Sequence, residues 1–183
     1  MTETELLVDC LRRLEGSGLP SMFVGPMTGN DWGVPRSTHD IDFDIEYELE
    51  DVEQIHHAFG EDFLVQEISV RSGLKPPHQF NALDNRSALK VDFIRVPDDA
   101  YERKRFSRRR RVELFGQTAS IATAEDVLLH KLRWHTISPT ERQLNDASGI
   151  FAVSRSDMDV DYMKRWVERI GVTALLEPIM ESK

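Results

Sequence analysis

Apolar residues recur at helical spacing from the first turns of the chain. Leu6, Leu7, Cys10, Leu11 and Leu14 share one face of residues 3–15, and Gly16-Ser17-Gly18 followed by Pro20 stops the helix. The period then shortens to two. Residues 21–24 read as a short strand leading into a turn at Gly25 and a brief helix. Residues 41–47 read as a second strand, with Ile41, Phe43, Ile45 and Tyr47 alternating with Asp42, Asp44 and Glu46. Helical spacing returns over residues 51–59 and ends at Gly60. Residues 62–77 hold no single period; 63–65 is strand-like, and Ser72-Gly73 and Pro76-Pro77 are loop. Residues 79–83 and 89–96 bracket Asp84-Asn85-Arg86-Ser87 and predict a hairpin. A helix over 98–106 and short extended pieces at 111–115 and 120–122 follow.

From Thr123 onward the spacing is helical throughout. Thr123 caps a first helix with Asp126 three residues on, and Val127, Leu128, Leu132 and His135 form its apolar stripe. Ser138-Pro139-Thr140 starts a second helix, in which Arg142 and Asp146 sit four apart. Asp159 or Asp161 opens a third, striped by Tyr162, Trp166 and Ile170 and ended by Gly171; residues 172–182 form a last one. Trp134 and Trp166 are expected to pack helix against helix. The pattern predicts an α/β fold: a small mixed β-sheet covered by helices over residues 1–122, then a C-terminal helical bundle over residues 123–183.

Three acids interrupt the apolar runs. Asp40 and Asp42 are two apart in an extended segment and point the same way, while Asp92 lies within Val91-Asp92-Phe93-Ile94. A lone acid in such a run is hard to bury. Brought within about 4 Å at an effective dielectric near 20, each pair of carboxylates would repel by about 4 kcal/mol. A hard divalent cation reverses that sign, so Asp40, Asp42 and Asp92 are candidate ligands for Mg²⁺, with Mn²⁺ as the alternative. The acids continue in phase through Asp44, Glu46 and Glu48, which a half-exposed strand with an acidic solvent face would also show. Asp92 shares its face with Ile94 and Val96, which a solvated face does not explain. The polar, basic run Gly33-Val34-Pro35-Arg36-Ser37-Thr38-His39 before Asp40 suits phosphate handling.

The net charge of −9 argues against indiscriminate nucleic-acid binding. It is unevenly spread: seven of the nine residues from 103 to 111 are Lys or Arg. That block is either a solvated face or a contact for RNA or nucleotide phosphates. No apolar run approaches the roughly twenty residues that span a bilayer, and the acidic start Thr2-Glu3-Thr4-Glu5 is not a signal peptide, so no membrane partner and a cytoplasmic location are expected. Cys10, the one cysteine, falls on the apolar face of its helix and reads as core. The six histidines lack a cysteine partner set, which disfavours zinc.

Val24-Gly25-Pro26, a thirteen-residue gap, Asp40-Ile41-Asp42 and then Val91-Asp92-Phe93 resemble the polymerase-β-like nucleotidyltransferase superfamily. Pro35-Arg36-Ser37-Thr38-His39-Asp40-Ile41-Asp42 looks more specifically like its minimal-nucleotidyltransferase and AbiEii-like branch. Residues 124–132 and 141–146 are similar to that branch's helical half. The resemblance implies a metal-dependent, ATP- or other NTP-binding transferase that moves an NMP group to an acceptor hydroxyl on tRNA or protein. A toxin–antitoxin or phage-defence setting with a cognate partner is implied too. On this reading Asp40 and Asp42 hold the metal ions, Asp92 shares one and takes a proton, and Gly25, Arg36, Ser37, Thr38 and Lys131 meet the nucleotide. Asp146 joins Lys131 among the catalytic candidates, and the nucleotide site is expected in the cleft between the two halves.

One departure stands out. Pro26 replaces the usual Gly or Ser and has no N–H to offer a phosphate, although proline suits a first helical position. A nucleotidyltransferase-fold protein that only binds a nucleotide or a partner is therefore the alternative. An RNA-binding adaptor, resting on the arginine block, is a third.

Overall fold

A computed structural model describes residues 1–24 and 41–181. Helix α1 (Glu3–Ser17) opens with a capping box: Thr2 Oγ1 accepts from Glu5 N–H, and Glu5 accepts in return from Thr2 N–H. It ends at Gly18, whose φ of 72° is left-handed, a conformation open to glycine without strain. Strands β1 (Ser21–Val24) and β2 (Ile41–Ile45) follow. After a single 3₁₀ turn come α2 (Val52–Phe59), β3 (Phe63–Leu64), α3 (Glu67–Ser72), β4 (Gln79–Asp84) and β5 (Lys90–Arg95). Helix α4 (Ala100–Ser107) and the hairpin β6 (Arg110–Leu114) with β7 (Gln117–Ile121) complete the first part. Helices α5 (Ala124–Ile137), α6 (Glu141–Ser154), α7 (Val160–Ile170) and α8 (Thr173–Glu181) form the second. The described chain divides into two compact units at Ile121.

In the first unit the strands form one seven-stranded mixed sheet, ordered β3-β4-β5-β2-β1-β7-β6. β2 runs parallel to β5, and β1 parallel to β7; the other neighbours are antiparallel. Alternation sorts each strand onto two faces. One carries Phe23, Phe43, Phe93 and Phe80 in a row across four strands, with neighbouring ring centroids 5.0–5.9 Å apart. Phe59 of α2 meets Phe93 edge-on at 5.1 Å, which seats that helix on the same face. Cys10 is fully buried on α1, and burial pushes its thiol pKa up, as its core position predicted. Asp84, buried at the end of β4, accepts hydrogen bonds from Arg86 and Ser87. Arg86 and Arg13 join it to Asp9 and Asp62, pinning the β4–β5 turn to α1.

Three expectations are corrected. Residues 62–77 contain α3, whose six residues bury only Val70 and are too few to display a period. On α5 the buried stripe is Leu128, Leu129 and Leu132, joined at the first turn by Glu125 and Asp126. Those two acids are buried because partners were waiting: Tyr162 Oη donates to Asp126 at 2.5 Å, Thr123 Oγ1 donates at 2.9 Å, and Asp159 N–H donates to Glu125 at 2.9 Å. Trp134 is exposed, its indole N–H donating to His130 on its own helix at 2.7 Å, so it does not pack between helices.

Candidate active site

The second face of the sheet carries the acids. Across the parallel β2–β5 pair, Asp42 stands in direct register with Asp92. Strand spacing sets such neighbours about 5 Å apart at Cβ. Two carboxylates at that separation repel by about 3 kcal/mol at an effective dielectric near 20. Register also places Val24, the last residue of β1, beside Asp42, and Asn81 of β4 beside Asp92. The sequence explains this placement. Ile41, Phe43, Val91 and Phe93 must enter the aromatic face, so the residues between them are committed to the opposite one.

Asp92 is largely enclosed, its side chain 14% exposed. Its Oδ2 receives the Lys90 ammonium at 2.6 Å, while its Oδ1 is buried with no hydrogen-bond partner among the described residues. A buried carboxylate oxygen left without a donor is costly unless something else meets it. A hard cation beside Asp42 and Asp92 fits that requirement, because both donors are carboxylate oxygens. Among the described residues no three His, Cys, Asp or Glu side chains group as a metal cluster. Asp40, the remaining acid of the trio, lies outside those residues, as do Gly25, Pro26, Arg36, Ser37 and Thr38.

Asp44 follows Asp42 on the same face but meets a different fate. It is buried, and Arg105 of α4 donates to it while also donating to Glu102 at 2.8 Å. Burial works against the Arg105 charge, yet Asp44 and Glu102 hold its pKa above the usual arginine value. The arginine block is therefore not one solvated face. Arg105 is an interior counter-ion, Arg103 pairs with Asp98, and Arg109 lies over the Phe106 ring at 4.2 Å. Arg110 and Arg111 begin the edge strand β6, where charge discourages strand addition.

In the helical unit, Lys131 Nζ donates to Asp146 at 3.0 Å, across α5 and α6, with both side chains mostly covered. These two resemblance-derived candidates meet one another. Lys90 and Arg105 escaped the sequence reading. The signal for Lys90 was present, since it lies two residues before Asp92 in the same strand and so shares its face. Arg105 read only as one charge of the basic block; Glu102 three residues earlier is a local partner, but Asp44 lies sixty-one residues away.

The fold is that of the nucleotidyltransferases. The chain superposes on the antibiotic-resistance factor ANT(2'')-Ia in solution with a TM-score of 0.59 at 11% identity, over 98% of this chain and 97% of that one. An antigenic nucleotidyltransferase-like protein from Paracoccidioides brasiliensis gives 0.59 at 11% identity, over 99% and 93%. ANT(2'')-Ia in complex with adenylyl-2''-tobramycin gives 0.56 at 13% identity, over 97% and 99%. No protein-family model and no curated protein matches the sequence. No described helix is long and apolar enough to cross a membrane.

Proposed function

We propose that this chain transfers a nucleoside monophosphate from an NTP to an acceptor hydroxyl. One observation carries the reading: Asp42 and Asp92 stand in register on neighbouring strands of a nucleotidyltransferase fold, and Asp92 keeps one buried oxygen without a donor. Asp42 and Asp92, with Asp40, would hold Mg²⁺ or Mn²⁺. Such an ion, when bound, neutralises the triphosphate and lowers the pKa of the attacking hydroxyl. The acceptor oxygen bonds to the α-phosphorus, the bond from that phosphorus to its bridging oxygen breaks, and pyrophosphate leaves with the electron pair. Asp92, beside the site of attack, receives the hydroxyl proton. Lys90, released from Asp92, supplies positive charge as the phosphates gather. Gly25, Arg36, Ser37 and Thr38 are assigned to the nucleotide. Lys131, oriented by Asp146, is assigned to charge balance.

Incubating the protein with each α-labelled NTP and Mg²⁺ tests this, with tRNA, a protein extract and a hydroxylated small molecule offered as acceptors. Label should reach one acceptor class in the parent and none in Asp42→Asn. No transfer from any NTP to any of the three would overturn the reading. Pro26 and the Lys90–Asp92 contact favour a second reading, a nucleotide- or partner-binding module built on the same fold. It requires NTP binding that persists with no transfer, and binding that Lys90→Gln weakens. The AbiEii-like and toxin–antitoxin setting, with a cytoplasmic location, rests on the sequence resemblance and is proposed with it.

A further inference from the structure

The sheet unit holds a cavity of about 500 Å³ that the proposed transfer does not use. It is bounded by the end of α1, the start of β1, the segment after α4, and the β6–β7 hairpin. From β1 it takes Ser21 and Phe23. These alternate with Met22 and Val24, whose register partners are Asp44 and Asp42. On β7, Ala119 shares the face of Phe23 and Ile121, while Thr118 and Ser120, with Arg111 opposite Ser120, share the other, so the lining draws on both faces where β1 borders β7.

The lining has three chemically distinct parts. Leu11, Leu14, Leu19 and Phe23 are apolar and nearly fully buried, and close the cavity on its inner side. Ser107, Thr118 and Ser120 add hydroxyls, and Arg109 and Arg111 add two guanidinium groups. Arg109 is held in place, its guanidinium stacked on Phe106 and its Nη1 donating to the Phe106 carbonyl at 2.9 Å. It has no carboxylate partner among the described residues. Arg111 reaches Glu15 only at 3.6 Å, and both are largely exposed. A fixed arginine fork without a counter-ion, beside a second arginine and several hydroxyls, matches the oxygens of a phosphoryl group. Glu15, also in the lining, can accept hydrogen bonds from ligand hydroxyls. The volume falls in the range of pockets that hold nucleotide-sized molecules.

We propose that this cavity is a second, non-catalytic binding site for a small phosphorylated sugar of nucleotide size. The phosphoryl group meets Arg109 and Arg111, and the sugar hydroxyls face Glu15. The site does not depend on the transferase reading, and the test separates the two by chelating divalent cations. AMP and ribose 5-phosphate are titrated calorimetrically into the full chain in EDTA. The parent should bind at least one of them saturably with one-to-one stoichiometry. Arg109→Gln should weaken binding at least tenfold, Arg109→Lys less, and Asp92→Asn not at all. Arg111→Gln, at an exposed position that folding does not need, should weaken it several-fold and serves as the test if Arg109→Gln loses its fold. Absence of saturable binding of both probes by the parent in EDTA would overturn the proposal. So would parent-like affinity in the arginine variants, or a loss in Asp92→Asn equal to that in Arg109→Gln.

Discussion

Asp42 and Asp44 stand two residues apart on one face of one strand, yet the protein treats them oppositely. Asp44 is sealed against Arg105, which Glu102 also binds, so both buried acids share one guanidinium. One register further along, Asp42 and Asp92 oppose each other, and Asp92 keeps a buried oxygen with no donor. The same residue type in the same strand thus faces an interior guanidinium at one end and a neighbouring carboxylate at the other. The contrast lies in completion: both buried acids around Arg105 are met, whereas Asp92 takes Lys90 on one oxygen and keeps the other without a donor among the described residues.

Breaking the completed end should have the largest effect. Arg105→Met would leave Asp44 and Glu102 buried without their partner, at a cost of about 3–5 kcal/mol. The thermal midpoint should fall by roughly 10 °C in a chain of this size. Replacing Asp44, Glu102 and Arg105 together by Leu, Leu and Met should recover most of that loss, because the penalty lies in the unpaired charge. Calorimetric melts of the two variants decide the point; equal destabilisation would mean that the triad's packing matters, not its charge.

The open end should respond the other way. Asp42→Asn and Asp92→Asn should leave the melting temperature nearly unchanged, since each removes carboxylate repulsion and the half-exposed Lys90 keeps its hydration when Asp92→Asn removes its ion pair. Mn²⁺ binding should weaken at least tenfold, and transfer should fall by about 10² or more. A clear drop in melting temperature in either variant would place that acid with Asp44 as a structural group.

A third prediction concerns pH. Burial opposes ionisation of Asp9 and Asp84, but hydrogen bonds from Arg86 to both, with Arg13 on Asp9 and Ser87 on Asp84, hold both pKa values below the usual carboxylate range. A lowered folded-state pKa contributes stability that is fully present above the unfolded value and lost as pH falls through the folded one. Stability measured by urea midpoint should therefore hold above about pH 4 and decline below it. Asp9→Asn should flatten that acid limb, and an unchanged slope would remove the network from the account.

The smallest effect is expected at Lys90. Its ammonium meets Asp92 where a divalent cation would compete, so Lys90→Gln should tighten Mn²⁺ binding a few-fold in the absence of nucleotide. Looser Mn²⁺ binding in the variant would show that Lys90 supports the cation site and does not guard it.

Much of this was legible along the chain because it depends on neighbours in sequence. The alternation of Ile41, Phe43 and Ile45 with Asp42 and Asp44 set the faces of β2. Cys10 fell among leucines at helical spacing, and Thr123 and Gly18 marked helix ends through hydrogen bonds that close within a few residues. Ser21–Val24 was readable as a strand, and the break at Asp84 to Ser87 as a turn. The arginine block misled, because composition counts charges without saying what each one faces. Arg105 became an interior counter-ion while Arg109 and Arg111 came to line a cavity. Asp126 read only as the capping partner of Thr123, but Asp159 and Tyr162, more than thirty residues on, gave Glu125 and Asp126 reason to be buried.

By itself, then, the sequence determined which side chains share a face, where helices begin and end, and which acids could meet a cation. Those properties follow from backbone periodicity and from hydrogen bonds that close within one or two turns. Only the tertiary structure decided which partner each acid met. The β2–β5 register joined Asp42 to Asp92, and α4 brought Arg105 to Asp44 from far along the chain. A carboxylate's role depends on whether a donor reaches it through space, and chain separation does not encode that distance.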